Sequence, residues 1–293
     1  MQKNDFLKLK PMLLKETKKP FNDKDYIYEI KFDGIRCLIF INNKEIIIQS
    51  RNNIILNELF PELLNIKNIN TKTCILDGEI ILFDQEKPNF SKLQERLHLK
   101  NKHRILYYQK NSPVSFVCFD ILYLNKDLTK LPLIKRKKIL NNFTESEVFI
   151  KSIYFEDGVS LFKMVQKNNL EGIVAKKKNS FYYYNYRSDD WLKIKNIQKD
   201  YFYICGYIKN KNENTIGIIL GEKINDNFYY VGKVLMGQKQ KLFLTILNEK
   251  IYLKNYLINC NLKCANYIKP KYKIEIGFLQ RTKNNHLRQP FIK

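Results

Sequence analysis

The chain has 293 residues, 44% of them hydrophobic, and a formal net charge of +23. That is material for one large domain or two ordinary ones with a sizeable core, and the positive excess suits a polyanionic partner, although a composition rich in Lys, Asn, Ile and Tyr is also what an AT-rich genome writes. No apolar run reaches the roughly 18–20 residues of a membrane span, and residues 1–10 lack the apolar core and small-residue cleavage site of a signal peptide, so no membrane role is expected and the expected compartment is the cytoplasm.

In chain order, Tyr26–Asn42 reads as two strands around an Asp33-Gly34 turn, and Glu45–Ser50 as a third. Ile54–Ile66 has helical spacing that ends near Lys67. Cys74–Phe83 is an apolar strand interrupted by Asp77-Gly78-Glu79. Ser91–Lys100 reads as a helix capped by Ser91. Val114–Leu124 is a buried strand, its apolar run ending at Asp120; Leu133–Phe143 is a basic helix, Val148–Ile153 a strand, Val159–Asn168 a helix and Gly172–Lys177 a strand. The pattern changes near Ile197–Asp200. Short strands follow at Tyr201–Lys209, Thr215–Gly221, Phe228–Met236 and Tyr272–Phe278, with a helix near Lys239–Lys254, which together suggest a small barrel. Lys209–Asn214 reads as an exposed loop. Cys37, Cys74, Cys118 and Cys205 lie singly in strand-like runs, where a reduced thiol packs as a small hydrophobe. Cys260 and Cys264 lack the further ligand pair that a zinc site needs.

Charged groups inside apolar strands are costly unless paired or used. Lys31 is the first, in Glu29-Ile30-Lys31-Phe32-Asp33-Gly34-Ile35-Arg36. An ordinary lysine, with a pKa near 10.4, is neutral in only about one copy in 2500 at pH 7; apolar burial and a neighbouring cation both favour the neutral, nucleophilic amine. Further interruptions come at Ser50-Arg51-Asn52, Asp77-Gly78-Glu79, Phe119-Asp120, Glu171-Gly172-Ile173-Val174-Ala175-Lys176 and Trp191-Leu192-Lys193-Ile194-Lys195, where Lys193 and Lys195 share a strand face. Taken singly, each has a plainer reading: a strand-end lysine paired with Asp33, a solvated arginine, a turn, a core phenylalanine, an exposed strand face.

In this order, the segments closely resemble the covalent nucleotidyltransferases, the ATP-dependent DNA ligases with their relatives the RNA ligases and mRNA capping enzymes. That signature opens with K-x-D-G-x-R, matched by Lys31, Asp33, Gly34 and Arg36, and continues with S-R, D-G-E, an aromatic-plus-Asp strand, E-G-[IV]-[VM]-x-K and K-x-K. The E-G-I-V-A-K and W-L-K-I-K segments are most similar to the ligase domains of bacterial non-homologous end-joining ligases, and Gln280-Arg281-Thr282 to Leu287-Arg288-Gln289-Pro290-Phe291 resembles their C-terminal barrel.

The resemblance implies an α+β chain: a nucleotidyltransferase (ATP-grasp-like) domain at 1–198 and an OB-fold DNA-binding barrel at 199–293. It implies a three-step reaction with ATP and Mg²⁺ or Mn²⁺, in which Lys31 takes AMP, passes it to the 5′-phosphate of nicked or broken double-stranded DNA, and the 3′-hydroxyl seals the nick. Glu29 would then accept from the adenine amino group, Phe119 stack the base, Glu79 hold the ribose or a metal, and Arg36 the ribose or the nick end. Arg51 would present its planar fork to the 5′-phosphate. Asp33, Glu79 and Glu171 would be metal ligands, and Lys176, Lys193 and Lys195 would neutralise phosphate. A monomer associated with the nucleoid and a Ku-like end-binding partner are expected. The alternatives are an RNA ligase or capping-type enzyme, and a DNA-end-binding module with weak self-adenylylation.

The match runs out at Phe291-Ile292-Lys293, where the family carries R-x-D-K, a motif that helps orient the departing pyrophosphate. Either a truncated barrel or a substitute basic group is expected, with Arg281, Arg288 and Lys293 as the candidates, and lysine adenylylation is expected to be slow while sealing of pre-adenylylated nicks is less affected. Asn185, before Tyr186-Arg187, stands where relatives carry glycine, and asparagine tolerates the left-handed conformation.

Overall fold

A computed structural model of the chain describes residues 3–43, 45–66, 73–210, 214–252, 255, 257–260 and 262–293. The chain divides into two units, Met1–Asn196 and Ile197–Lys293.

The first unit holds two five-stranded sheets. After the single turn α1 (Lys3–Phe6), the chain forms β1 (Leu13–Glu16) and β2 (Tyr26–Lys31) in the first sheet. It then crosses to the second sheet for β3 (Ile35–Asn42), β4 (Glu45–Ser50) and β5 (Thr73–Ile81). A short hairpin follows, β6 (Phe83–Asp84) with β7 (Lys87–Pro88), then the helices α2 (Phe90–Leu97) and α3 (Lys102–Asn111). β8 (Ser115–Leu124), the helix α4 (Leu133–Asn141) and β9 (Phe149–Lys151) complete the second sheet. The chain returns to the first with β10 (Tyr154–Phe155), α5 (Gly158–Lys167), β11 (Gly172–Lys177) and β12 (Arg187–Lys195). The sheet orders are β1-β12-β11-β2-β10 and β4-β3-β5-β8-β9. The chain therefore passes between the sheets twice, at residues 32–34 and 152–153.

Both sheets are buried on two faces, so their strands read as nearly continuous apolar runs. Along β3, Leu38 and Phe40 turn inward and pack with Ile75, Leu122, Ile27 and Trp191 in a core between the sheets. Cys37, Ile39 and Ile41 turn outward to Leu93 of α2 and Leu140 of α4, as the two-residue period of a strand requires. The outer face of the first sheet, with Tyr28, Ile173 and Ala175, is covered by Leu161, Phe162 and Val165 of α5.

Several elements depart from their sequence reading. β2 and β3 form no hairpin: the Asp33-Gly34 segment is the crossing between sheets. Gly34 suits it because a Cβ there would lie 2.2 Å from the Ile80 carbonyl oxygen and 2.8 Å from Glu79 Cγ. The helix expected at Ile54–Ile66 is only a 3₁₀ turn, Pro61–Asn65. Residues 54–57 are bound to β4 instead: Leu56 N donates to Ile48 O at 2.9 Å, and the Asn57 amide bonds both Ile48 N and Ile46 O. Lys67 lies outside the described residues. β5 runs unbroken through Asp77-Gly78-Glu79, and β8 continues past Asp120. α2 is capped by Asn89, which accepts from Lys92 N, rather than by Ser91. α3, capped by Asn101, was not evident from spacing.

The second unit is built on β13 (Gln198–Lys209), β14 (Thr215–Ile224), β15 (Asn227–Gly237), β16 (Leu257–Ile258), β17 (Asn266–Phe278), the pair β18 (Gln280–Arg281) and β19 (Leu287–Arg288), and β20 (Phe291–Ile292). The main sheet has the order β16-β15-β14-β13-β17-β20, and among the described residues no pairing closes it into a barrel. The helix expected at Lys239–Lys254 shrinks to α6 (Phe243–Leu247); residues 253 and 254, like 211–213 of the expected loop, lie outside the described set. Arg281 is bound by both oxygens of Glu222, at 2.8 and 2.9 Å, and Lys293 lies 3.6 Å from Glu275. Cys37, Cys74, Cys118 and Cys205 are buried and reduced.

Candidate active site

β11 pairs on both edges, and the register builds rows across the first sheet. Lys31, Gly172 and Lys195 stand in one row; Glu29, Val174 and Lys193 in the next, continued by Glu16 on β1; Ile27, Lys176 and Trp191 in the third. Opposed residues share a face, and Ile27 and Trp191 belong to the core between the sheets. All these side chains therefore project toward the second sheet. From that sheet come Arg36 and Glu79, paired across β3 and β5. Phe119 comes from a bulge. Asp77 opposes Asp120 and Gly78 opposes Cys118, so Phe119 is an extra residue, and such a bulge re-aims a side chain.

Of these groups, Glu29, Lys31, Val174, Lys176, Trp191, Arg36, Glu79 and Phe119 line a cavity of about 50 Å³, together with Leu14, Ile30 and Phe32. A water needs roughly 10–15 Å³ of such space, so the cavity has room for a few waters.

The Lys31 ammonium lies 2.7 Å from Glu171 Oε1. Gly172, which follows, has φ +156°, and a Cβ on it would come 2.1 Å from the Ile194 carbonyl oxygen. Only glycine lets Glu171 turn toward Lys31 while β11 stays tight against β12. Glu29 is buried between Lys137 (2.6 Å) and Lys176 (3.0 Å) and accepts from Ser152 Oγ at 2.9 Å. Burial pushes its carboxyl up, but the two lysines prevail and hold it below the usual range. Burial pulls Lys176 down to about 8 against the opposing pull of Glu29. The Lys176 ammonium lies 4.2 Å from the ring centres of both Phe119 and Trp191, and the Arg36 guanidinium 4.8 Å from that of Phe119.

Arg36 is fixed from behind. It donates to both oxygens of the buried Asp77, at 2.9 and 2.7 Å, and to Met12 O at 3.1 Å. Tyr182 donates to Asp77 at 2.6 Å and accepts from Met12 N at 2.9 Å. Burial lifts Glu79 to about 7, with Glu171 and Asp77 adding to the rise and Lys31 and Arg36 opposing it. Lys193 and Lys195 both reach Glu16. Arg51 is brought near by its backbone, which donates to Arg36 O at 3.0 Å, while its side chain is exposed and ion-paired to no acid among the described residues. Asp120 does not enter the cavity: it is buried and clamped by Arg136 at 2.8 and 2.9 Å.

Among the described residues no group of three or more His, Cys, Asp or Glu is gathered to hold an ion; Asp33 stays in the crossing, and Glu171 is turned to Lys31. Glu79 and Glu171 nonetheless form a partly desolvated carboxylate pair that raises Glu79, a donor set that a divalent cation would relieve.

Sequence reasoning missed Glu16, Lys137, Ser152 and Tyr182. For Lys137 a signal existed. Leu133, Arg136, Lys137 and Leu140 are the buried face of α4, and this i, i+3, i+4, i+7 stripe carries two cations where apolar residues belong. Such cations need buried acids, here Asp120 and Glu29.

A family model described as an ATP-dependent DNA ligase domain matches residues 11–195. The SPbeta prophage-derived DNA ligase-like protein LigB of Bacillus subtilis is 37% identical over 204 residues, covering 68% of this chain and 72% of that protein. The bifunctional non-homologous end joining protein LigD of the same species is 33% identical over 227 residues, covering 69% of this chain but 36% of its own length. Among solved structures, mycobacterial DNA ligase D complexed with ATP and MES aligns over 98% of this chain and 94% of its own, with a TM-score of 0.61 and 21% identity, a likeness of fold.

Proposed function

This chain belongs to the ATP-dependent DNA ligase family, and on that premise we propose that it seals nicks through an AMP carried on Lys31. The observation that carries the reading is the convergence of Lys31 with Phe119, Arg36 and Glu79 around one cavity, with Glu171 on the Lys31 ammonium and Lys193 and Lys195 paired through Glu16. The Lys31 amine would attack the α-phosphorus of ATP, forming a P–N bond as the bond to the β-phosphate oxygen breaks and pyrophosphate leaves. Glu171, at 2.7 Å, is the nearest base to take the lysine proton. The AMP then passes to a DNA 5′-phosphate, and the 3′-hydroxyl displaces it.

In this reading Phe119 stacks adenine, once Lys176 or Arg36 yields the ring, and Glu29 accepts from the amino group. Glu79 or Arg36 holds the ribose, and the exposed fork of Arg51 meets the 5′-phosphate. Lys176, Lys193 and Lys195 offset charge developing on phosphate. Asp33, Glu79 and Glu171 supply oxygen ligands for Mg²⁺ or Mn²⁺, and a bound ion would neutralise phosphate charge. We assign adenylation to 1–198 and an OB-fold to 199–293, supported by the antiparallel strands of the second unit and its rows of lysine and aromatic residues. Likeness to LigD supports a place in end joining, and we propose that the chain works there at the nucleoid as a monomer with a Ku-like partner. No helix among the described residues is long and apolar enough to cross a membrane.

The test is incubation with labelled ATP or GTP and Mg²⁺, followed by nicked DNA or nicked RNA. Label from ATP that is stable on the wild-type protein, absent from Lys31→Ala and discharged by nicked DNA is expected. Label from GTP, or discharge by RNA alone, would reassign the substrate; an unlabelled protein that also fails to seal a pre-adenylylated nick would leave only end binding.

A further inference from the structure

β1 runs parallel to β12 and is tied along it. Leu13 N donates to Tyr186 O at 2.8 Å and Thr17 N to Lys193 O at 3.1 Å, and the Arg187 guanidinium donates to Leu14 O. The register jumps between Leu14 and Lys15, from Ser188 to Leu192, which sets Glu16 directly across from Lys193. Glu16 Oε2 lies 2.9 Å from Lys195 Nζ and 3.4 Å from Lys193 Nζ. One anionic oxygen between two ammoniums is the arrangement a phosphate oxygen would take there. The carboxylate is 48% exposed, against 24% and 22% for the lysines, so it can leave for solvent without unpacking the sheet. Burial pushes it up, yet Lys195 and Lys193 hold it below the usual carboxylate range, so it is anionic at neutral pH.

The geometry points to Glu16 as a tethered stand-in for phosphate, which fills the anion position at Lys193 and Lys195 until a nucleoside triphosphate displaces it. The inference rests on the reading of those lysines as phosphate-holding groups. It gives the site a threshold: a ligand must bring enough phosphate charge to evict a carboxylate that is always at hand. It also acts on the product side, because the carboxylate returns as pyrophosphate departs and so opposes rebinding.

The test is equilibrium binding of ATP, inorganic pyrophosphate and adenosine to the full chain, first freed of AMP with pyrophosphate, in the wild type, Glu16→Gln and Lys195→Ala. Glu16→Gln is expected to bind ATP and pyrophosphate about five-fold tighter, the scale of two half-exposed ion pairs, with adenosine unchanged. Glu16→Asp, which keeps the charge and withdraws it by one methylene, should fall between. Unchanged or weaker binding of ATP and pyrophosphate by Glu16→Gln, while Lys195→Ala weakens both, overturns the inference and leaves the role of the lysines standing. No effect of Lys195→Ala on either ligand overturns that role, and the inference with it.

Discussion

Phe119 is the residue on which base binding turns, and a bulge rather than strand alternation presents it. Its ring faces the cations of Lys176 and Arg36, contacts that a purine would replace. Stacking of a base on an aromatic ring is worth about 1–3 kcal/mol, so Phe119→Ala is expected to weaken ATP binding by roughly 5- to 150-fold while leaving pyrophosphate binding nearly unchanged; titration calorimetry with the two ligands checks it. Glu79 makes a different claim. Its folded-state value of about 7 lies above the ordinary glutamate value near 4.3, so the native state binds the proton more tightly than the unfolded chain. The contribution is therefore fully present below about pH 4.3 and is lost as pH rises through about 7. In chelator, Glu79→Gln should lack this decline, and at pH 8 should be the more stable protein by something on the order of 1 kcal/mol after allowance for solvent screening. Thermal midpoints across pH 4–9 test it, and parallel profiles for the two proteins would refute it.

Among the elements, the second sheet depends on a buried ion pair that no motif announces. Arg96 of α2 is fully buried against Glu62 of the 3₁₀ turn. It also donates to Leu59 O at 3.0 Å, and Glu62 accepts from Val114 N at 3.0 Å just before β8. Arg96→Ala would leave Glu62 buried and uncompensated, costing about 3–5 kcal/mol, whereas Arg96→Met combined with Glu62→Leu should lose much less; denaturant midpoints distinguish them. The same pair marks the limit of what the chain discloses. The reactive segments were legible because charged residues break apolar strands there, and β11 was read to the residue from Gly172 to Lys177. The crossing at residues 32–34 was not, because a glycine that turns a hairpin and a glycine that passes close under another strand look alike in sequence. Residues 54–57 break the expected helix: their apolar spacing is helical while their hydrogen bonds go to β4. Arg96 and Arg136 sit among lysines in sequence, and nothing local marks Glu62 and Asp120 as their partners.

At the scale of the whole molecule, charge dominates. With a net +23, binding to nicked DNA is expected to be governed by counterion release. If about six phosphates are neutralised, affinity should fall by roughly 10³-fold between 50 and 200 mM salt; a nearly flat salt dependence of the dissociation constant would contradict a broad basic contact. The two passages between sheets have a mechanical consequence. Lys31 stands at the first, Ser152 at the second, and Tyr154, just beyond the second, is paired with Glu29; Ser152 itself bonds Glu29. In the first sheet the passages leave the neighbouring strands β2 and β10, whereas in the second they join the start of β3 and the end of β9, which run the same way near opposite edges, so the second sheet is fastened at two distant corners. The placement of Lys31 against Arg36 and Glu79 is therefore held from two sides rather than about one axis.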